Sequence, residues 1–156
     1  MKSLVFIVSS LMIGINSFSQ ISPDMIKLGK VRQLPMRKAK VFKYKHPDGT
    51  IADYSSAISI LSNTDSVFSI LDGKVAAVFE LPENNFSITI VDNDSIYYNY
   101  FSLSKVGLKK SDTIKKGDLI GYAKKVYEKF DLSLMVISNN GKEYTEDKIW
   151  QLIKDE

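Results

Sequence analysis

Hydrophobic and polar residues alternate along much of the chain, which is the pattern of β-strands that bury one face. In residues 86–91 (FSITIV), for example, Phe86, Ile88 and Ile90 share one face. Further strands are predicted at residues 38–45, 66–72, 74–80, 95–102, 113–114, 119–123 and 130–138. Because turn residues separate these runs at short intervals, the pattern predicts an all-β domain, an antiparallel barrel-sandwich.

A short helix is predicted to close the chain. Thr145 is placed to cap its first turn, where acidic residues suit the positive end of the helix dipole. Ile149, Leu152 and Ile153 follow at helical spacing and form an apolar stripe.

Two glycines and one aspartate-rich turn are expected to be structural. Gly117 fits a turn position with positive φ, and Gly121 fits a close approach of another backbone segment. Asp92 and Asp94 flank Asn93 between two predicted strands. A calcium loop is the alternative, but the twelve-residue pattern of such a loop is absent, so a hairpin turn is favoured.

The first residues have the pattern of an export signal. Lys2 precedes an apolar run at residues 4–15, and small residues stand before Gln20. A run of this length is shorter than the roughly 20 residues that cross a bilayer as a helix, so a membrane anchor is disfavoured. We therefore expect a signal peptide at 1–19, an arm or linker at 20–37 and one domain at 38–156, with no membrane span in the mature chain.

Composition narrows the compartment and the chemistry. The sequence has no cysteine, so it forms no disulfide and carries no lipid anchor of the lipoprotein type. The expected location is periplasmic or extracellular. A formal net charge of +3 gives no argument for nucleic-acid binding. The one histidine, His46, lies in a His-Pro-Asp-Gly turn, and a serine nucleophile would need a base beside it.

Three segments in a fixed order resemble the lysostaphin-type zinc endopeptidases of the cell wall. They are residues 100–103 (YFSL), 108–121 (LKKSDTIKKGDLIG) and 131–136 (DLSLMV), with a weaker match at 67–73 (VFSILDG). The resemblance implies a fold of the duplicated hybrid motif type. Lipoyl- and biotin-carrier domains share the rhythm of the second segment, but the exposed hairpin lysine that they modify has no counterpart here.

The resemblance also implies where a zinc site would lie. In that family a histidine and an aspartate four residues apart bind zinc together with the second histidine of a His-x-His, and another histidine lies on the neighbouring strand. The matching positions here are Ser55, Ser59, Ser102, Asp131 and Ser133. If the preceding loop has no insertion, Tyr54 and Ile58 replace the first two. None is histidine, so no metal or other cofactor is expected.

Two surfaces are candidates for binding. Lys109, Lys110, Lys115 and Lys116 form a basic cluster that could meet an anionic ligand, or they could be a solvated sheet edge. Tyr98 and Tyr100 could stack on sugars. Alternation places them on the face opposite Tyr97 and Phe101, so one of the two pairs is expected in the core.

These observations predict an exported, non-catalytic, peptidase-like domain that binds peptidoglycan or regulates a cell-wall hydrolase. Two alternatives stay open at this stage. One is an active cell-wall metalloendopeptidase with an unconventional site around Asp131 and Ser102. The other is an exported structural or assembly component of the envelope.

Overall fold

The computed structural model describes residues 34–42 and 56–154. They form nine strands and one helix: β1 Lys40–Phe42, β2 Ala57–Ser62, β3 Ser66–Phe68, β4 Gly73–Leu81, β5 Asn85–Val91, β6 Tyr97–Lys105, β7 Thr113–Ile114, β8 Leu119–Val126, β9 Lys129–Ile137 and α1 Glu146–Lys154. The prediction of an all-β domain with a short C-terminal helix is confirmed.

The strands join in one curled antiparallel sheet. Their order is β1-β2-β9-β8-β6-β5-β4-β7, and β3 pairs with β8 off this path. Strand β9 has two partners on the same side, because its first residues (Lys129–Asp131) pair with β8 and its later ones (Ser133–Ile137) with β6. The sheet therefore forks at Leu132, and this fork lies beside the candidate site.

Alternation in β2 and β9 gives the sheet two unlike faces. The core face is almost completely buried and carries Ile58, Ile60, Leu132, Leu134 and Val136. The other face, which we call the open face, is half-buried; on these two strands it carries Ala57, Ser59, Leu61, Asp131, Ser133 and Met135. Strand β2 is absent from the sequence-based prediction, although it supplies one wall of the open face.

The two glycine predictions are confirmed. Gly117 has φ +89° in the turn before β8, a conformation that costs an L-residue roughly 1 kcal/mol or more. At Gly121 a Cβ atom would lie 2.7 Å from the carbonyl oxygen of Lys105. Close packing of β8 against β6 therefore requires glycine there.

The turn between β5 and β6 is closed by Asp92. Its Oδ1 accepts hydrogen bonds from the backbone N–H groups of Asp94 and Ile96, both at 2.9 Å. Its Oδ2 accepts one from the Tyr98 hydroxyl at 3.4 Å. The Asp92 carboxylate therefore holds a hairpin turn, as the sequence favours.

Some residues that the sequence pattern assigns to the arm are packed against the domain in the structure. Met36 is only 2% exposed and forms an isolated β-bridge with Val67. The backbone N–H of Phe68 donates to the carbonyl oxygen of Pro35 at 2.7 Å. The folded unit therefore extends at least to Leu34, ahead of the proposed boundary at residue 38.

The closing helix packs against β2. Ile149 and Ile153 are buried as the stripe predicts, whereas Leu152 is 37% exposed. Trp150 is buried instead, and its indole N–H points to the Glu146 carboxylate at 3.5 Å. The buried stripe of α1 is thus formed by Ile149, Trp150 and Ile153.

Several predicted strands differ in their bounds from the observed ones; β6, for example, continues to Lys105, beyond the predicted end at residue 102. The run at 66–72 ends at Phe68, because the chain turns at Ser69, whose hydroxyl donates to the carbonyl oxygen of Leu71 at 2.7 Å. Strand β8, by contrast, is longer than predicted and continues to Val126, beyond the predicted end at residue 123. The longer β8 brings Lys124 opposite Asp131 on β9.

Candidate functional site

The centre of the candidate site is a row of three side chains on the open face. Ser59 on β2 lies directly opposite Ser133 on β9, and Ser133 lies opposite Phe101 on β6. Opposite residues of antiparallel strands point to the same face, with Cβ atoms about 4.5–5.5 Å apart. Two small hydroxyl side chains and one aromatic ring are therefore neighbours here.

Asp131 lies on the same face, two residues before Ser133. Its register partners are Leu61 on β2 and Lys124 on β8. The ammonium group of Lys124 nevertheless lies near Glu83, 3.3 Å from its carbonyl oxygen and 3.9 Å from its Oε2. The Lys124 charge is therefore directed to the β4–β5 turn.

The cost of burying the Asp131 carboxylate is only partly offset by hydrogen bonds. Its Oδ1 is buried and has no hydrogen-bond partner among the described residues. Burial raises the pKa of Asp131, and a hydrogen bond from the Leu132 backbone N–H acts in the opposite direction. The site therefore holds one carboxyl group that is easier to protonate than an ordinary aspartate.

Ser102 lies at an irregularity of β6. Ile88 pairs with Tyr100 but Phe86 pairs with Leu103, so β6 contains one extra residue at this point, a β-bulge. Ser102 has φ +66°, which is unusual for a residue other than glycine. Ser102 directly follows Phe101, the register partner of Ser133, and its side chain is half-buried.

The structure brings three of the five positions implied by the family resemblance onto one face. Ser59 and Ser133 form a direct pair and Asp131 follows on the same strand face, whereas Ser102 follows Phe101 at the bulge. Ser55, like Tyr54 and His46, lies outside the described residues. Ile58, the alternative to Ser59, is 1% exposed on the core face, so the alternating geometry favours Ser59.

The sequence-based prediction missed a second row on the open face. Ala57, Met135, Asn99, Thr89 and Ala77 are successive register partners across five strands. At its centre the Thr89 hydroxyl donates to Oδ1 of Asn99 at 2.6 Å. The alternation of residues 86–91 already places Thr89 on the face opposite the buried isoleucines. This pattern could have identified Thr89 as a residue of the open face. We call the two rows together with Asp131 and Ser102 the groove.

The side chains of the groove do not fit a zinc ion. A catalytic zinc site uses about three ligands drawn from His, Cys, Asp and Glu, whereas neutral serine hydroxyls bind zinc poorly. At the matching positions only Asp131 is a ligand of this kind. Within residues 34–42 and 56–154, no three such side chains lie close enough to hold a metal ion.

The proposed tyrosine surface needs correction. Tyr98 and Tyr100 are 7% and 0% exposed, so they belong to the core and do not form a binding surface. The Tyr100 hydroxyl accepts a hydrogen bond from the Ile70 backbone N–H at 3.4 Å, and burial raises the pKa of both phenols. Alternation places Phe101 on the open face instead, where it enters the groove.

The four lysines of the basic cluster lie in two turns of the same design, which we call the lysine turns. They span residues 109–112 and 115–118 and end in Asp112 and Asp118. In each turn the aspartate carboxylate accepts a hydrogen bond from the backbone N–H of the first lysine, at 2.9 and 2.8 Å. The third residue of each has positive φ, +76° at Ser111 and +89° at Gly117.

Lys115 of this cluster forms an ion pair with Asp72. The Lys115 ammonium group lies 3.2 Å from the Asp72 carboxylate, which also accepts the Lys116 backbone N–H at 2.7 Å. Both Lys115 and Asp72 are exposed, so the ion pair contributes little stability. The basic cluster is an exposed surface at the β7 end of the sheet, remote in strand order from Ser59 and Ser133.

Comparisons with known proteins show that the fold of this chain is similar to that of solved structures. No protein-family model matches the sequence, and no curated protein matches it. The solution structure of lysostaphin is 19% identical with a TM-score of 0.55, over 71% of this chain and 49% of that one. A zinc-containing peptidase from Vibrio cholerae is 24% identical with a TM-score of 0.50, over 66% of this chain and 32% of that one.

These likenesses confirm the fold expected from the resemblance. The chain has the all-β fold of lysostaphin-type peptidase domains, and its described part has no metal-binding group. The chain spans about half the length of lysostaphin and about a third of the Vibrio peptidase.

Proposed function

We propose that this protein is a non-catalytic, peptidase-like domain of the cell envelope that binds peptidoglycan through the groove. The observation that carries the proposal is the pairing of Ser59 with Ser133 on the open face. Where the resembling enzymes place zinc ligands, this chain places hydroxyl groups. A peptidase-like surface thus keeps its shape and its hydrogen-bonding capacity but lacks the groups that activate water.

The chemistry of the groove suits a polar, extended ligand. Serine hydroxyls and the Thr89–Asn99 pair can exchange hydrogen bonds with amide and sugar groups. Phe101 offers a half-buried ring on which an apolar sugar face can rest. Ala57 and Ala77 add small side chains to the same face. Peptidoglycan consists of sugar chains joined to short peptides, so it offers amide groups, sugar hydroxyl groups and apolar sugar faces.

Export and domain limits belong to the same proposal. The signal-like segment 1–19 would direct the chain out of the cytoplasm, and residues 20–33 would link it to the folded unit. The described part of the chain contains no helix that is long and apolar enough to cross a membrane. We propose that the exported domain acts at the cell wall.

A sedimentation assay with purified cell-wall sacculi tests the proposal. We expect the protein to pellet with sacculi, to release no soluble fragments from them and to purify without stoichiometric zinc. Ser133→Arg places a long cation in the groove and should abolish pelleting. Thr113→Arg is the matched control, because Thr113 is an exposed strand residue on β7 at the far end of the sheet, and it should pellet normally.

Each other result has a defined meaning. Fragment release by protein that carries one zinc ion per chain would establish an active metalloendopeptidase and contradict the proposal. Recovery of a cell-wall hydrolase from envelope extract, without binding to sacculi, would favour a regulator of that hydrolase. Recovery of other envelope proteins alone would favour a structural or assembly component.

A further inference from the structure

The outer edge of β4 is largely unpaired. Strand β7 pairs only with Gly73 and Lys74, and the next residue, Val75, exchanges hydrogen bonds with Ser111 and Asp112. From Ala76 to Leu81, no other described strand pairs with this edge. Alternate residues of this segment direct their backbone N–H and C=O groups outward, where no described strand pairs with them.

This free edge is also apolar. Phe79 is 55% exposed and Leu81 is 41% exposed, and both lie on the open face of the sheet beyond Ala77. Natural proteins usually protect free edges with lysines, prolines or inward charges. Within Ala76–Leu81 the only charged residue is Glu80. An edge of this kind is a template for pairing with another strand.

We propose that β4 pairs with β4 of a second copy of this chain, antiparallel about a two-fold axis, with Phe79 opposite Phe79 of the second copy. Opposite residues of an antiparallel pair share a face, and this register satisfies that rule. It sets Ala77 of each copy opposite Leu81 of the other. A small side chain then faces a large one on both sides of a central aromatic pair.

Charge favours the antiparallel direction. Lys109 and Lys110 directly precede Ser111, whose backbone N–H binds the Val75 carbonyl oxygen at 2.8 Å, so they lie near the start of the free edge. Glu80 and Glu83 lie at its end, and both are exposed. Antiparallel pairing brings the lysines of one copy toward the glutamates of the other, whereas parallel pairing would bring like charges together.

The pairing would join the two open faces. The row of Ala57, Met135, Asn99, Thr89 and Ala77 ends at β4, so in the dimer Ala77 lies beside Leu81 of the second copy on the same face. The interface is independent of what the groove binds. It would present two grooves side by side on one continuous sheet.

Sedimentation equilibrium of the purified protein measures the association. We expect a reversible dimer, with Phe79→Lys weakening it by about tenfold or more, because a buried cation pair would replace an aromatic pair. Tyr127→Lys is the matched control, since Tyr127 is 76% exposed in the β8–β9 turn, and it should leave dimerisation unchanged. Circular dichroism checks that each variant is folded. A wild-type monomer at all concentrations would overturn the proposal.

Cross-linking tests the register. The sequence has no cysteine, so single cysteines can be placed without background. Phe79→Cys should form an intermolecular disulfide on mild oxidation, because opposite Cβ atoms lie near disulfide distance. Leu81→Cys alone should not, but an equal mixture of Ala77→Cys and Leu81→Cys proteins should. Equal cross-linking of Leu81→Cys and Phe79→Cys would overturn the proposed register.

Discussion

The two faces of β9 belong to one strand but differ in what surrounds them. Leu132, Leu134 and Val136 are 0% exposed and pack in the core. Asp131, Ser133 and Met135 alternate with them and are only half-buried on the open face. Side chains on the core face must have volumes that fill the core without cavities. On the half-buried open face, the packing constrains the type of side chain less. The architecture is therefore held mainly by the core face, and the open face can carry different polar groups on the same fold.

The largest expected effect is on the core face. Leu134→Ala removes a fully buried side chain and leaves a cavity, so the free energy of unfolding should fall by about 2–5 kcal/mol. Urea denaturation followed by fluorescence of Trp150 would measure it. A loss below about 1 kcal/mol would mean that this face is packed more loosely than its burial indicates.

A second test probes the contact between strands β6 and β8. Gly121→Ala places a Cβ atom 2.7 Å from the Lys105 carbonyl oxygen, so we expect a loss of about 1–3 kcal/mol in the free energy of unfolding. Gly107→Ala is the control, because a Cβ there meets no atom within 4 Å. Equal thermal stability of the two variants would contradict the tight packing of β6 on β8.

The pH dependence of Asp131→Asn tests the open face. Because burial raises the pKa of Asp131 above the unfolded value of 3.8, ionisation costs more in the folded state. The penalty is absent at low pH, where both states are protonated, and grows as pH rises above that value. At pH 7 the variant should therefore be more stable than wild type, and this advantage should vanish toward pH 3.

Asp72→Asn provides a control of opposite sign. A hydrogen bond from the Lys116 backbone N–H and the Lys115 ammonium group lower the pKa of Asp72. Its ionisation therefore stabilises the folded state above the unfolded value, and this contribution is lost as pH falls through the folded pKa. The variant should be less stable than wild type at pH 7. If both variants shifted in the same direction, the contrast between the two carboxylates would be wrong.

The smallest expected effect is at the centre of the groove. Ser133→Ala removes a half-buried hydroxyl group and should change the free energy of unfolding by no more than about 0.5 kcal/mol. The same urea titration as for Leu134→Ala gives a direct comparison of adjacent residues. A loss as large as that of Leu134→Ala would show that the open face, too, is required for folding.

Much of this fold can be predicted from the sequence, because alternation reports directly which side chains face the core. The pattern in residues 86–91 identifies buried Ile88 and Ile90 correctly, and residues 130–138 are correctly predicted as a strand. Strand β2 is harder, since its inward-facing positions include Ser62. That serine is buried because its hydroxyl donates to the Arg37 carbonyl oxygen at 2.7 Å, a contact between distant parts of the chain.

The site could be predicted only in part, because it depends on an interruption of the pattern. Strict alternation would place Ser102 with Tyr100 on the core face. The bulge in β6 shifts the register, so Leu103 is buried and Ser102 is not. The resemblance of residues 100–103 gave the position of Ser102. The second row, including Asn99, requires the strand order and was missed.

The distances along the chain between paired residues also have a kinetic consequence. Each of the lysine turns closes between residues three apart, and such local closures occur within about microseconds. Ser59 and Ser133 are joined only when β2 pairs with a strand formed by the far end of the chain. Pairing of this kind is slow, because loop closure costs entropy before contacts compensate for it. During refolding, the groove should therefore be among the last parts of the molecule to form. Ligand binding should then appear only when folding is complete.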